Sequence, residues 1–520
     1  MVNVIKSAEV GALIKDGATI YTCGFGLACY AEEVAIAIEE SFLGTGHPRD
    51  LTLYYATGLG NFKDRGVHHF AHEGLMKRVV GGHFGVGGAN LTKLIMESRI
   101  EAYNLPQGVL ALLPRNIAGR RPGFITKVGL GTFVDPRVEG GKLNAKTKEE
   151  IVEVIQFVGE EWLYYKLPKV DVAMIRGSVA DEHGNITLHR EGILVETMSV
   201  AQAARACGGI VICQVEHIVK AGTLHPKDVK VPGILVDYVV VAKPENHSQT
   251  MGTYFNPAFA GDIKIPVASL APLALDERKV ITRRAAMELV PGAVVNLGIG
   301  VPEGVAAVAA EEKVEHLMAL TTEGGVIGGV PAGGLDFGHS VNAEAVVEQP
   351  YQFDFYDGGG IDVTFLGLAQ TDPYGNVNVS KFSGRPVGCG GFVNITQNAK
   401  KVVFCGAFTA GGLAVAVEDG KLRIVQEGKA KKFIKDVEQI TFSGKYAVSI
   451  EQPVLYVTER AVFKLTPAGM ELTEVAPGVD IQKDILDQMD FKPIMKDVKT
   501  MDPGIFRDAW GCLGAVICGR

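Results

Sequence analysis

Residues 170–188 read VDVAMIRGSVADEHGNITL, and residues 361–379 read IDVTFLGLAQTDPYGNVNV. Asp171, Asp181, Gly184 and Asn185 of the first string recur 191 positions later as Asp362, Asp372, Gly375 and Asn376. A chain that repeats itself in this way is expected to fold as two related bodies. A second match points the same way: DGATIYTCGFG (16–26) resembles PGAVVNLGIG (291–300), and an Ala/Val-rich helical pattern follows each. The two matches are out of step. Gly26 to Gly184 spans 158 residues, whereas Gly300 to Gly375 spans 75, so the first half carries 83 extra residues, mostly within 77–165.

Within each half, short β-rich runs alternate with helical patterns. ATIYTCG (18–24), DLTLYYATG (50–58), VDVAMIRG (170–177) and GIVICQVE (209–216) read as strands. Between the first two, EEVAIAIEESF (32–42) places Val34, Ile38 and Phe42 four apart, on one helical face. This alternation predicts an α/β class with mostly parallel sheets: two related open α/β domains. The expected division is 1–242, a linker at 243–280 that is first polar and then Pro-bearing, and 281–520. Such domains favour a site at their interface, near the carboxyl ends of strands.

Composition removes several functions. The net charge is −8, so the long basic field of a nucleic-acid binder is missing. The eight cysteines form no C-x-x-C pair, and strings such as VVFCG read as buried, reduced thiols. The N-terminal segment lacks the apolar core of a signal peptide, and the longest uncharged apolar run, Val402 to Val417, is 16 residues with three glycines. That is short of the roughly 18 needed to span a bilayer. A cytoplasmic protein without membrane or nucleic-acid partners is the expectation.

Several motifs carry chemistry. GFG (24–26) and GIGVPE (298–303) begin like a dinucleotide fingerprint, but its third glycine position holds Cys29 in one copy and Glu303 in the other. Glu303 would repel a pyrophosphate at a helix N-terminus, so NAD binding is not expected from this motif. VHHFAHEG sets His68/His72 and His69/Glu73 at i,i+4. The two pairs point about 100° apart around a helix, and no third ligand group completes a metal site, so they read as polar histidines near a surface or interface with no metal.

Glu323, in LMALTTEGGVIGG, follows an apolar strand and precedes two glycines. A carboxylate there is sterically open, as a nucleophile or base needs to be, although a solvent-exposed turn Glu has the same pattern. Gly388, Gly390 and Gly391, in PVGCGGFVN, leave backbone N–H groups unshielded for a developing oxyanion or simply make a turn. Gly358, Gly359 and Gly360 allow an extended ligand to lie close, and Gln107, in YNLPQGVL, offers a side-chain amide.

These pieces occur in the order seen in one family. The sequence resembles the class I coenzyme A transferases over nearly its whole length, most densely in FAHEGLMKR (70–78), GLGTFVDPR (129–137), KAGTLHPKDVKVPGI (220–234), TTEGGVIGGVPAGG (321–334), YQFDFYDGGG (351–360) and GCGGFVNITQN (388–398). It is most similar to the single-chain acetate/propionate type of fermentative bacteria. The resemblance implies that Glu323 is the catalytic glutamate, that the glycine motif at 388–391 supplies an oxyanion N–H, and that Gln107 is the second oxyanion donor. It further implies that Gly358, Gly359, Gly360, Asn378 and Gly391 lie near the CoA arm. No tightly bound cofactor is implied; coenzyme A is a substrate and a covalent thioester intermediate, acyl-CoA and small carboxylic acids are the partners, and the enzyme is a homo-oligomer, tetramer or dimer. GFGLACYAEE (24–33) and HFGVGGANLT (83–92) depart from the family's pattern, and if they line the acyl pocket the acid differs from propionate. An acyl-CoA hydrolase using the same glutamate, or a non-catalytic relic of the fold, is the alternative.

Overall fold

The computed structural model describes residues 1–266 and 273–519; positions 267–272 of the expected linker lie outside them. The chain forms two compact units. One comprises Met1–Ile265, Thr322–Asp354 and Phe382–Asn394, and the other Pro266–Thr321, Phe355–Lys381 and Ile395–Arg520.

The first unit is built on β1 (Asn3–Ile5), β2 (Thr19–Thr22), β3 (Leu51–Gly58), β4 (Met76–His83), β5 (Glu101–Asn104), β6 (Val172–Arg176), β7 (Ile210–Val215) and β8 (Tyr238–Val241). They form an eight-stranded sheet in the order β1-β8-β7-β6-β2-β3-β4-β5, and every neighbouring pair is parallel. Parallel strands are covered on both faces, which is why β6 reads as an unbroken buried run. Helix α1 (Glu32–Thr45) covers the sheet between β2 and β3, burying Val34 and Ile38 in the core with Phe42 at its margin. It stops at Gly46, whose φ of 78° is the left-handed cap a glycine supplies at no steric cost.

The second unit has β9 (Ala293–Leu297), β10 (Met318–Thr321), β11 (Val363–Gly367), β12 (Val402–Cys405), β13 (Val454–Val457), β14 (Ala461–Thr466), β15 (Gly469–Val475) and β16 (Ile494–Thr500), ordered β10-β9-β11-β12-β13-β14-β15-β16. The first four pairings are parallel; β13-β14 and β14-β15 are antiparallel.

The internal repeat is visible down to hydrogen bonds. The order β8-β7-β6-β2-β3 matches β13-β12-β11-β9-β10. Ile20 pairs with Val172 in one sheet and Val295 with Val363 in the other, the same residues that the two sequence matches align. Asp171 takes the N–H of Thr19 on its carboxylate, and Asp362 takes that of Val294. At the second conserved position, the Asp181 carboxylate accepts from His183 N and Asn185 N, and Asp372 accepts from Tyr374 N and Asn376 N, with Gly184 and Gly375 at positive φ in between. Asn185 and Asn376 each donate back to their aspartate and accept from a distant glycine, Gly233 or Gly444. An Asp/Asn-stabilised turn of this kind satisfies its own backbone, so the same four residues persist in both halves.

The 83 extra residues of the first half add β4, β5, helix α2 (Gln107–Ala118) and a three-stranded antiparallel sheet of Phe124–Thr126, Glu160–Tyr165 and Val152–Phe157. Five of the eight cysteines are buried as thiols, Cys405 of VVFCG among them, whereas Cys512 and Cys518 near the end of the chain are exposed. The apolar run 402–417 breaks into short strands, and among the described residues no helix is long and apolar enough to cross a membrane.

Candidate active site

Glu323 stands two residues past the end of β10. A tight turn presents it: Thr322 N donates to Val326 O at 2.9 Å and Gly325 N to Thr322 O at 3.1 Å. The glycines after it do more than clear space. A Cβ on Gly325 would lie 2.1 Å from Val347 O, inside the strand pairing that Val347 N makes back to Gly325 O. Thr322 Oγ1 donates to Gly338 O at 3.1 Å, and Gln349 Nε2 donates to the backbone carbonyl of Glu323 at 3.3 Å. The Glu323 backbone is thus fixed on both sides, and the residue as a whole is half-buried.

The carboxyl of Glu323 is pushed up to about 7 by loss of hydration, and a hydrogen bond from the Gly391 backbone N–H pulls the other way. A carboxylate that is dry yet held by one N–H is a strong nucleophile once ionised, because it has little water to shed before attack.

The glycine motif is locked against β4 and β5. Gly388 bridges His83, Gly390 N donates to Gly82 O at 2.8 Å, and Cys389 N donates to Asn104 Oδ1 at 3.0 Å. The amides of Cys389 and Gly390 are therefore already spent, and the amide that reaches Glu323 is that of Gly391. Asn104 is fully buried; its Nδ2 also holds Gly81 O and Gly82 O, so one side chain ties three backbone segments together. Sequence reasoning missed Asn104, and its place three residues before Gln107 was the only available signal.

Gln107 opens α2, after Pro106. Its backbone N donates to Gly390 O at 2.9 Å, and Gly108 N donates to Asn394 Oδ1 at 3.0 Å. The side chain is buried, and its Nε2 has no hydrogen-bond partner among the described residues. A buried amide donor left unpaired costs roughly 1–3 kcal/mol, so its presence at the glycine motif, one residue from the Gly391 amide that meets Glu323, calls for a ligand oxygen.

The structure brings Glu323, Gln107, Gly388, Gly390 and Gly391 into one unit; Gly358, Gly359, Gly360 and Asn378 belong to the other. Gly358–Gly360 end the helix Gln349–Asp357, with Gly359 N on Tyr356 O and Gly360 N on Phe355 O. Asn378 is buried and its side chain is engaged within the protein, donating to Gln370 Oε1 and Lys381 O and accepting from Ser380 N and Lys381 N.

The histidine string departs from expectation. Val67–Phe70 is a single 3-10 turn, not an α-helix, and the i,i+4 pairing does not form. His69 is buried between Glu32 (3.0 Å) and Glu39, while His72 also meets Glu39 and Arg65 meets Glu32. The turn cannot lengthen because Gly66 enters it at φ 75° and Ala71 leaves helical geometry. Among the described residues no group of three His, Cys, Asp or Glu side chains is arranged to hold a metal ion.

Residues 5–242 match the family model described as coenzyme A transferase. Caffeate CoA-transferase of Acetobacterium woodii is 52% identical, covering 99% of this chain and 100% of that protein. Acetate CoA-transferase YdiF of Escherichia coli is 44% identical over 98% of this chain and 96% of its own length. A crystal structure of the E. coli acyl-CoA transferase YdiF, as a thioester complex with CoA, superposes with a TM-score of 0.91 at 44% identity, covering 98% of this chain and 97% of that one. With end-to-end similarity of this order joined to the same α/β architecture, the chain belongs to the class I coenzyme A transferases, and transfer of CoA is its general chemistry.

Proposed function

We propose that the protein exchanges CoA between short carboxylic acids such as acetate, propionate, butyrate or lactate, with Glu323 as the nucleophile. The observation that carries this reading is the desolvated Glu323 carboxyl, raised to about 7 and touched by the Gly391 N–H. The net reaction is R-CO-SCoA + R′-COO⁻ ⇌ R-COO⁻ + R′-CO-SCoA.

A Glu323 oxygen attacks the acyl-CoA carbonyl, the C–S bond breaks, and the CoA thiolate leaves an acyl-glutamyl anhydride. The thiolate then attacks the glutamyl carbonyl, the bond from the glutamyl carbon to the bridging oxygen breaks, and the first acid departs as its carboxylate, taking that oxygen with it. The product is a glutamyl-CoA thioester, and the incoming acid reverses the two steps. Each attack passes through an oxyanion. In the second, the oxyanion forms on the Glu323 carboxyl itself, where the Gly391 N–H already donates. The unpaired Gln107 Nε2 is the donor available to the first, and one such donor contributes about 3–4 kcal/mol to the transition state. Gly388 and Gly390 hold this frame in place, and Gly358, Gly359, Gly360 and Asn378 are assigned to the neighbourhood of the CoA arm. A cytoplasmic homo-oligomer completes the proposal.

Ping-pong kinetics with parallel double-reciprocal lines is the expected pattern. Incubation with acyl-CoA followed by borohydride should reduce a thioester at Glu323, read by peptide mass, and Glu323→Gln should fold, fail to be modified and fail to transfer. Intersecting lines together with an unmodified Glu323 would overturn the assignment; CoA release that needs no acceptor acid would point to a hydrolase.

A further inference from the structure

Three loops of the first unit are stitched together beside Glu323. Arg176 is fully buried, forms a two-point ion pair with Glu191, and donates from Nη1 to Leu27 O at 3.1 Å and Ser248 O at 2.9 Å. It thereby holds the Gly24–Tyr30 loop against the turn that starts at Ser248. That turn is tied in turn to Asp336, which accepts from the Thr250 and Thr253 hydroxyls.

The side chains these loops present are apolar. The rings of Phe25 and Phe337 lie 5.9 Å apart at 35°. A Cβ on Gly338 would meet the Phe25 ring at 2.7 Å, so the ring lies directly on the Gly338 backbone. A Cβ on Gly26 would meet the Met251 side chain at 2.9 Å, so the thioether covers Gly26. Met251 and Phe337 are half-buried. The Gly338 carbonyl is the group that accepts from Thr322 Oγ1, and it lies 3.2 Å from the Cβ position of Gly324. Phe25 and Phe337 therefore flank the backbone on which the two neighbours of Glu323 rest.

We propose that Phe25, Met251 and Phe337 are the specificity-determining wall for the acyl group, and that they select acids with a flat, unsaturated or aromatic skeleton over acetate. The reading rests on Glu323 as the site of reaction; it ranks a flat or aromatic acid above the short acids named under that reading, which remain poorer substrates of the same nucleophile. The half-buried Phe337 ring, backed by the buried Phe25 ring, offers a face for offset stacking, and a polarizable thioether adapts to the edge of a flat group. Acetate has only a methyl group to bury against this surface, so it gains little from it. The buried Arg176 anchor sets the wall before substrate arrives, so no ordering cost offsets the contact.

The test compares acceptor acids. Cinnamate and acetate are assayed as acceptors from a common acyl-CoA donor in the parent, Phe25→Leu and Met251→Ala, with thermal unfolding as a check on folding. Phe25→Leu keeps apolar volume and removes the ring; Met251→Ala changes a half-buried side chain and leaves the loop anchor intact. The parent should favour cinnamate in kcat/KM, and the cinnamate-to-acetate ratio should fall at least tenfold in a folded variant, mainly through KM for cinnamate. A parent preference for acetate, or a ratio that falls less than tenfold in both variants, overturns the proposal. Borohydride trapping in the same samples reads Glu323 separately: a trapped thioester with an unchanged ratio sinks the wall and leaves the nucleophile standing.

Discussion

Gln107 and Gly390 are joined through the backbone, Gln107 N to Gly390 O at 2.9 Å, and the Gln107 side chain turns into the same corner, where a Cβ on Gly390 would lie 3.6 Å from Gln107 Oε1. The backbone bond fixes where α2 begins, and the side-chain Nε2 is left without a partner. Removing that amide deletes no internal hydrogen bond from Nε2. Gln107→Ala is therefore expected to keep the fold and to lower kcat by about 10²–10³. Steady-state kinetics and thermal unfolding on the same sample check it; a kcat within a factor of three of the parent would remove Gln107 from the oxyanion site.

The two glycines of the motif differ in what they tolerate. Gly388 has φ 96°, and a Cβ there would lie 2.6 Å from His83 Cα and 2.8 Å from Gly82 O, both backbone atoms that cannot step aside. Gly390 has φ 50° and only the ordinary contact to Gln107. Gly388→Ala should cost on the order of 3 kcal/mol or more, from strain plus collision. Gly390→Ala should cost about 1–2 kcal/mol, the penalty for a side chain in the left-handed region. Denaturant midpoints should separate the two variants; equal losses would show that the motif is not packed this way.

Much of this was legible in the sequence because its causes are local. Asp181, Gly184 and Asn185 make a turn that satisfies itself within five residues, so the same letters specify the same turn at Asp372, Gly375 and Asn376. The strand runs were legible for the same reason, and the observed register confirms the alignment of Ile20 with Val295. Partnerships far apart in sequence were not. Nothing near Asn104 announces that it will accept from Cys389, 285 residues away. The segment 322–354 repeats nothing that tells which compact unit it joins, yet it carries Glu323. The spacing of His68, His69 and His72 imitates a helix, whereas the acids that hold His69 and His72 come from α1, about 30 residues upstream.

That His69 cluster sets a pH window for stability. Burial lowers the His69 pKa, but hydrogen bonds and charge from Glu32 and Glu39 more than offset this and leave it raised. Burial raises Glu32, and His69, Arg65 and Gly66 N more than offset it, leaving it lowered. A raised histidine contributes stability that is complete below its unfolded pKa of about 6.5 and is lost as pH rises through the folded value. The lowered carboxylate contributes above about 4.3 and loses it as pH falls through its folded value. Stability from this cluster should therefore peak between about 4.3 and 6.5 and decline toward pH 9. His69→Gln should flatten that decline in thermal unfolding across pH 6–9; an unchanged slope would show that His69 is not charged in the folded protein.

Glu323 carries the opposite sign, and this separates its chemistry from its effect on the fold. Loss of hydration raises its carboxyl to about 7, only partly relieved by the Gly391 N–H. Only the ionised form can attack a thioester, so the rate of glutamyl-CoA thioester formation in a single turnover should rise about tenfold per pH unit below 7 and level off above it. An ordinary exposed glutamate would reach its plateau near pH 5–6. For the fold, a raised carboxyl binds its proton more tightly folded than unfolded, so stability is lost as pH rises from about 4.3 through 7. Glu323→Gln cannot ionise, and it should be more thermally stable than the parent at pH 8 while matching it near pH 4. The two readouts must move together in the parent. A rate of thioester formation that is flat from pH 5.5 to 8, with no gain in stability for Glu323→Gln at pH 8, would mean that the carboxyl is hydrated and that its desolvation plays no part in catalysis.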